Sequence, residues 1–258
     1  MHPILFATEG LTISSYGALL NLGLIAALAA TWIQVRRSAL PSTLVIDVAL
    51  AALSAGLVGA RIGYIATHWL YFSRHTEEIW QIWLGGLSWH GGLIGATVGV
   101  WLATQFWLTQ TPARWLDVLA PGAALGTVFG WTGCFLSACA YGREVFPGDP
   151  LFTLAIDAPD IYGVWAPRLP SQLAGAAWGL LVFGIVSWEG SRRVEGLRFG
   201  LFAAFYSLGS FVVGFSRADL PAAIGSVSIE QALDISVFAA SAVGLLIVMT
   251  TRSRTHRP

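Results

Sequence analysis

The chain has 258 residues, 55% of them hydrophobic and only 11% charged, with a formal net charge of zero and a mean hydropathy of +0.68. That composition excludes an ordinary soluble domain and a disordered chain, and it fits a polytopic membrane protein with no nucleic-acid partner. All fourteen basic residues are arginine, so every fixed positive charge is a planar guanidinium able to grip two oxygens at once.

Seven apolar runs in chain order approach the roughly 20 residues that a spanning helix needs. They lie at about 14–34, 43–67, 87–108, 115–140, 170–188, 200–215 and 228–250. No basic stretch precedes the first run, which reads as a retained span rather than a cleaved leader. No linker, internal repeat or low-complexity tract divides the chain, so residues 1–258 read as one domain. The expected fold is an all-α integral membrane protein of seven transmembrane helices.

The arginines give the bundle a direction. Arg36, Arg37, Arg114, Arg192, Arg193, Arg198, Arg252, Arg254 and Arg257 fall on one side, and outnumber Arg74, Arg143, Arg168 and Arg217 on the other. By the positive-inside rule the larger group is cytoplasmic, which puts the N-terminus outside and the C-terminus inside.

This threading carries several unusual residues to the outer leaflet: Tyr16 on the first run, Arg61 inside the second, His90 opening the third, Arg143 after the fourth, Gln172 on the fifth and Arg217 after the sixth. Bland readings exist for some of them. Arginines near helix ends snorkel, and a terminal tyrosine fits an aromatic belt. Arg61 and His90 lie inside apolar helices, where a paired or functional role is the default. Gly91 and Gly92, following His90, allow close approach of another backbone or of a lipid. Asp47 and Asp117 fall toward the opposite ends of their helices. Guanidinium groups beside a group that titrates near neutrality suit an anionic phospholipid headgroup, through bidentate phosphate contacts and a base for an incoming nucleophile. Neither a metal nor a cofactor is expected.

The stretches "LSWHGGLIGA", "GARIGY", "SYG" and "PRLPSQL", with "GWTGCFLSACAYGR" closing the fourth run, resemble the prolipoprotein diacylglyceryl transferase family. That resemblance implies a multi-pass enzyme of the bacterial inner membrane, with its active site toward the outer leaflet. The family moves the diacylglyceryl group of phosphatidylglycerol onto the lipobox cysteine of a prolipoprotein signal peptide and releases glycerol phosphate. Carried over position by position, the resemblance makes His90, Arg143 and Tyr16 catalytic. It gives Arg61, Arg217, Gln172, Gly91, Gly92 and Gly142 to substrate binding.

The fourth-run signature, G-R-x-G-N-F-x-N-x-E-x-x-G-R, is altered here. Trp131 stands at its first Arg, Cys134 and Ser137 at its Asn positions, and Cys139 at its Glu. Ser210 and Gly214 replace an Arg and a Glu of the sixth run, and Ala174 and Gly175 replace a Tyr-Glu pair of the fifth. Two readings of the cysteines stay open: a thiolate nucleophile near Arg143, or small packing residues. Offset by five, the two sit about 140° apart on a helix, so they do not share one face. The alternative function is a catalytically altered paralogue that binds or modifies an anionic phospholipid without prolipoprotein transfer. A small transporter fits less well, because the polar residues gather at one face.

Overall fold

The computed structural model describes residues 3–8, 11–38, 40–106, 110–188 and 194–255. The protein is mostly helical. The helices are α1 (Ser15–Arg36), α2 (Val45–Thr67, led in by a 3-10 turn at Ser42–Leu44), the short α3 (Trp69–Phe72), α4 (Trp89–Phe106), α5 (Pro112–Ser137), α6 (Ser171–Ser187), α7 (Leu197–Gly214) and α8 (Ile229–Thr255). Among the described residues five helices are long and apolar enough to cross a membrane: Ser15–Arg36, Ser42–Thr67, Pro112–Ser137, Leu197–Gly214 and Ile229–Thr250. The remaining expected runs are the 18-residue α4 and the 17-residue α6.

The chain is not wholly helical. Among the described residues are three two-stranded antiparallel sheets, one ahead of α1 and two between helices: β1 (Ile4–Thr8) with β2 (Leu11–Ser14), β3 (Ile156–Pro159) with β4 (Trp165–Arg168), and β5 (Ala222–Ile224) with β6 (Val227–Ser228). Strands this short leave no long alternating pattern to read in the sequence. Asp160 shapes the middle hairpin, its Oδ1 accepting the N–H groups of Tyr162 and Val164 at 2.8 and 3.0 Å.

Two compact units partition the chain, residues 32–119 and residues 1–31 with 120–258. The core of the first gathers Val35, Val48, Val100, Ala103 and Trp115, all fully buried. Its central feature is the α2–α4 seam. Ala51, Ala55, Gly59 and Gly63 on α2 meet Gly91, Gly95 and Gly99 on α4, and a Cβ added at Gly91, Gly95 or Gly99 would run into a backbone carbonyl of α2. Small residues every fourth position let two helix backbones touch where lipid supplies no hydrophobic drive.

In the second unit, Trp178 of α6 lies over Gly209 of α7 and donates its indole N–H to the Phe205 carbonyl at 2.8 Å. The start of α8 is a capping box. Ser228 Oγ accepts the Gln231 N–H at 3.2 Å, and Gln231 Oε1 accepts the Ser228 N–H at 3.0 Å. Arg192, Arg193 and Arg257 of the orienting set lie outside the described residues, as do the side chains of Arg252 and Arg254.

Candidate functional site

The fourth apolar run stops being helix earlier than the sequence suggests. α5 ends at Ser137, and Ala138 takes a left-handed φ of 59°. The Cys139 N–H then reaches back to the Cys134 carbonyl at 3.1 Å. This bond across five residues, with a left-handed residue just past the helix, is the Schellman pattern of a helix C-terminus. Cys139 is therefore outside the helix, and its separation from Cys134 is not a helical offset. The two are joined as a disulfide, with Cα atoms 4.6 Å apart. That corrects the nucleophile reading, because neither cysteine is a free thiol.

Beyond the disulfide the chain is laced between two other segments. The Arg143 N–H bonds the Ser216 carbonyl at 2.8 Å, the Ala218 N–H bonds the Tyr141 carbonyl at 2.9 Å, and the Leu169 N–H bonds the Arg143 carbonyl at 3.1 Å. Gly142 pairs with Arg217 in this ladder. Gly142 also lies so close to Leu169 that any Cβ would overlap the Leu169 carbonyl. The structure thus brings together the backbones of Gly142, Arg143 and Arg217. Gln172 joins them from the first turn of α6, its Nε2 donating to the Cys139 carbonyl at 3.0 Å. At 2% exposure, its amide serves the turn rather than an open surface.

Each arginine of this rim already meets carboxylate. Arg143 Nη1 lies 3.2 Å from Asp149 Oδ2. Arg217 grips Asp219 through two donors at 2.9 and 2.7 Å. Arg168, 4% exposed, bridges Glu144 at 2.9 Å and Asp160 at 3.2 Å while its guanidinium faces the Tyr141 ring at 5.2 Å. The Leu151 N–H and, after it, Arg143 hold the Asp149 carboxyl below its ordinary range. Burial, then the neighbouring Asp160 and Asp219, push the Tyr141 phenol above its usual value.

The altered signature positions are packed, not vacant. The Trp131 indole lies against Gly175, where a Cβ would collide with the ring, and its N–H donates to the Tyr206 hydroxyl at 3.2 Å. The Arg217 guanidinium sits 5.9 Å from the Trp131 ring. The Gln231 side chain occupies the space beside Gly214 and donates to the Phe211 carbonyl at 3.0 Å. Tyr16 packs its ring on Gly133.

Arg61 and His90 belong to the other unit. Arg61 is 8% exposed, and its guanidinium is committed to backbone carbonyls: Ile79 at 2.8 Å, Gly85 at 2.8 Å, Gly86 at 3.1 Å, and Glu78. The Phe72 ring lies 5.1 Å from it. This hydrogen bonding holds the segment between α3 and α4. His90 is 3% exposed, with its ring 4.3 Å from that of Trp89. Gly91 fits against the Gly59 and Gly63 backbones, while a Cβ at Gly92 would make only ordinary contact with Ala60. Gly91 also lines an apolar groove of about 570 Å³ with Val58, Ile62, Ile94 and Val98.

Sequence reasoning gave Arg168 only a part in orienting the bundle, gave Trp131 only the place of a replaced signature residue, and passed over Gln231 and Asp234. Asp234 is 1% exposed on α8, and an acidic residue inside the last apolar run was a signal in plain view. Trp131 gives no such signal, because its partner Gly175 is 44 positions away in the chain (175 − 131).

The sequence model of the prolipoprotein diacylglyceryl transferase family matches residues 3–248. Proteins named phosphatidylglycerol–prolipoprotein diacylglyceryl transferase are similar to this chain. The one from Streptococcus equi subsp. equi is 31% identical over 222 residues, covering 85% of each chain. That of Streptococcus uberis is 27% identical over 261 residues, covering 100% of this chain and 98% of its own. That of Streptococcus pyogenes is 28% identical over 255 residues, covering 98% and 96%.

Proposed function

The chain belongs to the prolipoprotein diacylglyceryl transferase family, and on that footing we propose that it moves the diacylglyceryl group of phosphatidylglycerol to the lipobox cysteine of a bacterial prolipoprotein. The match over residues 3–248 carries this reading, because it takes in every candidate site residue and all seven expected runs but for the last two residues of the seventh. In the proposed step, His90 accepts the thiol proton and the thiolate sulfur bonds to the glycerol carbon of the lipid. The carbon–oxygen bond to phosphate breaks, and glycerol phosphate leaves. Arg143 and Arg217 stabilise the charge growing on that phosphate, each exchanging its aspartate for lipid oxygen. The Tyr16 hydroxyl donates to a headgroup or glycerol oxygen. Arg61 orders the segment that leads into His90 and acts as a positioning residue.

The enzyme sits in the inner membrane with α1, α2 and α4–α8 as seven spans, the N-terminus outside and the C-terminus in the cytoplasm. Two features support that direction. The three hairpins all fall in segments that this threading puts outside, and the Cys134–Cys139 disulfide falls there too. Disulfides persist in oxidising compartments.

The altered-paralogue reading is favoured by one observation, the pairing of Arg143 and Arg217 with Asp149 and Asp219. Complementation of a transferase-depleted bacterium separates the two. Growth supported by the wild-type chain and lost with His90→Gln bears out the transferase. Failure to grow despite full membrane expression, with phosphatidylglycerol binding retained, would favour the lipid binder.

A further inference from the structure

The turn that leaves α5 is made without glycine. Ala138 and Ala140 both hold positive φ, at 59° and 50°. A left-handed backbone costs an L-residue about 1–2 kcal/mol, so glycine is the usual choice there. The disulfide spans the first of these positions and has the second as its neighbour. It occupies the place where a Schellman turn ordinarily has an apolar contact between its third-last helical residue and the second residue beyond. Three residues later, Gly142 and Arg143 enter the backbone ladder with Arg217 and Ser216. The turn's carbonyls are held from α6, by Ser171 Oγ on Ala140 at 2.6 Å and by Gln172 on Cys139. The covalent link therefore ends where the proposed phosphate-binding segment begins.

We infer that the Cys134–Cys139 disulfide is a positioning element of the transferase, so that transfer depends on the oxidation state of this pair. The inference rests on the transferase reading above. Its chemistry is thiol–disulfide exchange with an extracytoplasmic protein disulfide. One cysteine thiolate attacks the donor's disulfide, and the second displaces the donor from the mixed disulfide. Two thiol protons are lost, and two electrons pass to the donor, which leaves as a dithiol. Both cysteines are half-buried, within reach of a small reductant.

The test uses the full-length protein from aerobically grown cells. Trapping with N-ethylmaleimide under denaturing conditions, read by intact mass, should give no adduct before reduction and two after it. Two adducts without reduction would overturn the inference. Transfer is then assayed in phosphatidylglycerol vesicles with a lipobox-cysteine peptide, the enzyme having been reduced, alkylated and desalted beforehand. We expect kcat/KM to fall roughly tenfold to a hundredfold, to fall likewise in Cys134→Ser/Cys139→Ser, and to return when reduced, unalkylated enzyme is reoxidised. The discriminating measurement is a cycle with Arg143→Gln. If the disulfide acts by placing Arg143, that substitution should cost far less in the Cys134→Ser/Cys139→Ser background than in the oxidised enzyme. Additive losses, unchanged kcat/KM, or loss of monodisperse protein along with activity would each overturn it. An oxidised wild type that is folded yet yields no product would sink the transferase reading and this inference with it, whereas adducts on unreduced protein would leave that reading standing.

Discussion

Arg61 and Arg168 are both more than nine-tenths buried, at 8% and 4% exposure, yet they are held in opposite ways. Arg61 is bonded to neutral carbonyl oxygens of residues 78–86 and rests on an aromatic face, so these partners leave its positive charge uncancelled. Arg168 bridges two carboxylates, as Arg143 and Arg217 each engage one. The first arrangement shapes a segment while keeping a cation in place. The second cancels charge and fixes strands to one another. Under the proposed transfer, the lipid phosphate would be met at the rim by arginines that can change partners. Arg143, with its side chain 41% exposed and one bond to a 24% exposed aspartate, is better suited to that than the doubly bridged Arg168.

The largest effect should come from neither arginine but from the seam under Arg61. Gly95→Leu drives a side chain into the Ala55 carbonyl, and overpacking of this kind costs about 3 kcal/mol. Folded yield in membranes and the thermal midpoint in detergent should both drop sharply. A well-folded variant would show that the α2–α4 contact is looser than described. Next is Arg168→Met, which leaves Glu144 and Asp160 without their shared cation. Breaking a buried pair costs about 3 kcal/mol or more; with Glu144 41% exposed, about 2 kcal/mol is expected. Arg61→Gln removes a charged donor from several carbonyls at about 1.5–3 kcal/mol for a charged hydrogen bond. Limited proteolysis should find new cleavage confined to residues 75–87. If lipid binding falls while this segment stays protected, Arg61 is a lipid ligand and the contrast with Arg168 fails.

How far the sequence revealed this contrast depends on the residue. The helical membrane class was legible because the apolar runs are long, and five of the seven are helices long and apolar enough to cross a membrane among the described residues. The end of α5 was not, because the turn uses alanine where glycine would have announced it. The angle assigned to the two cysteines then rested on a helix that had already stopped. Arg61 was recognisable as unusual from its depth in an apolar run, but its acceptors are main-chain oxygens, which leave no trace in side-chain identity. The Asp149 and Asp219 partners lie close in sequence to Arg143 and Arg217 and were visible as acids, though not as partners.

Smaller effects sharpen the rim. Asp149 has a depressed pKa, so its pairing with Arg143 is complete above the ordinary carboxylate pKa of 3.8 and is lost only as pH falls through the lower folded value. A pH profile of kcat/KM between 5 and 8 should therefore be the same for wild type and Asp149→Asn, apart from a constant factor. A difference in shape would place another titrating group on this pair. Smallest of all, Ala138→Gly relieves a left-handed alanine but frees the unfolded chain, for a net gain of about 0.5 kcal/mol in thermal stability.

The most direct measurement is made on purified, oxidised full-length protein in phosphatidylglycerol vesicles, with a peptide bearing a lipobox cysteine and mass spectrometry as the readout. Transferase chemistry predicts a peptide carrying one diacylglyceryl group on its cysteine, at a rate reduced roughly 10²–10⁴-fold by His90→Gln in protein that remains folded. An unmodified peptide beside folded wild-type protein, or equal rates for wild type and His90→Gln, would contradict it.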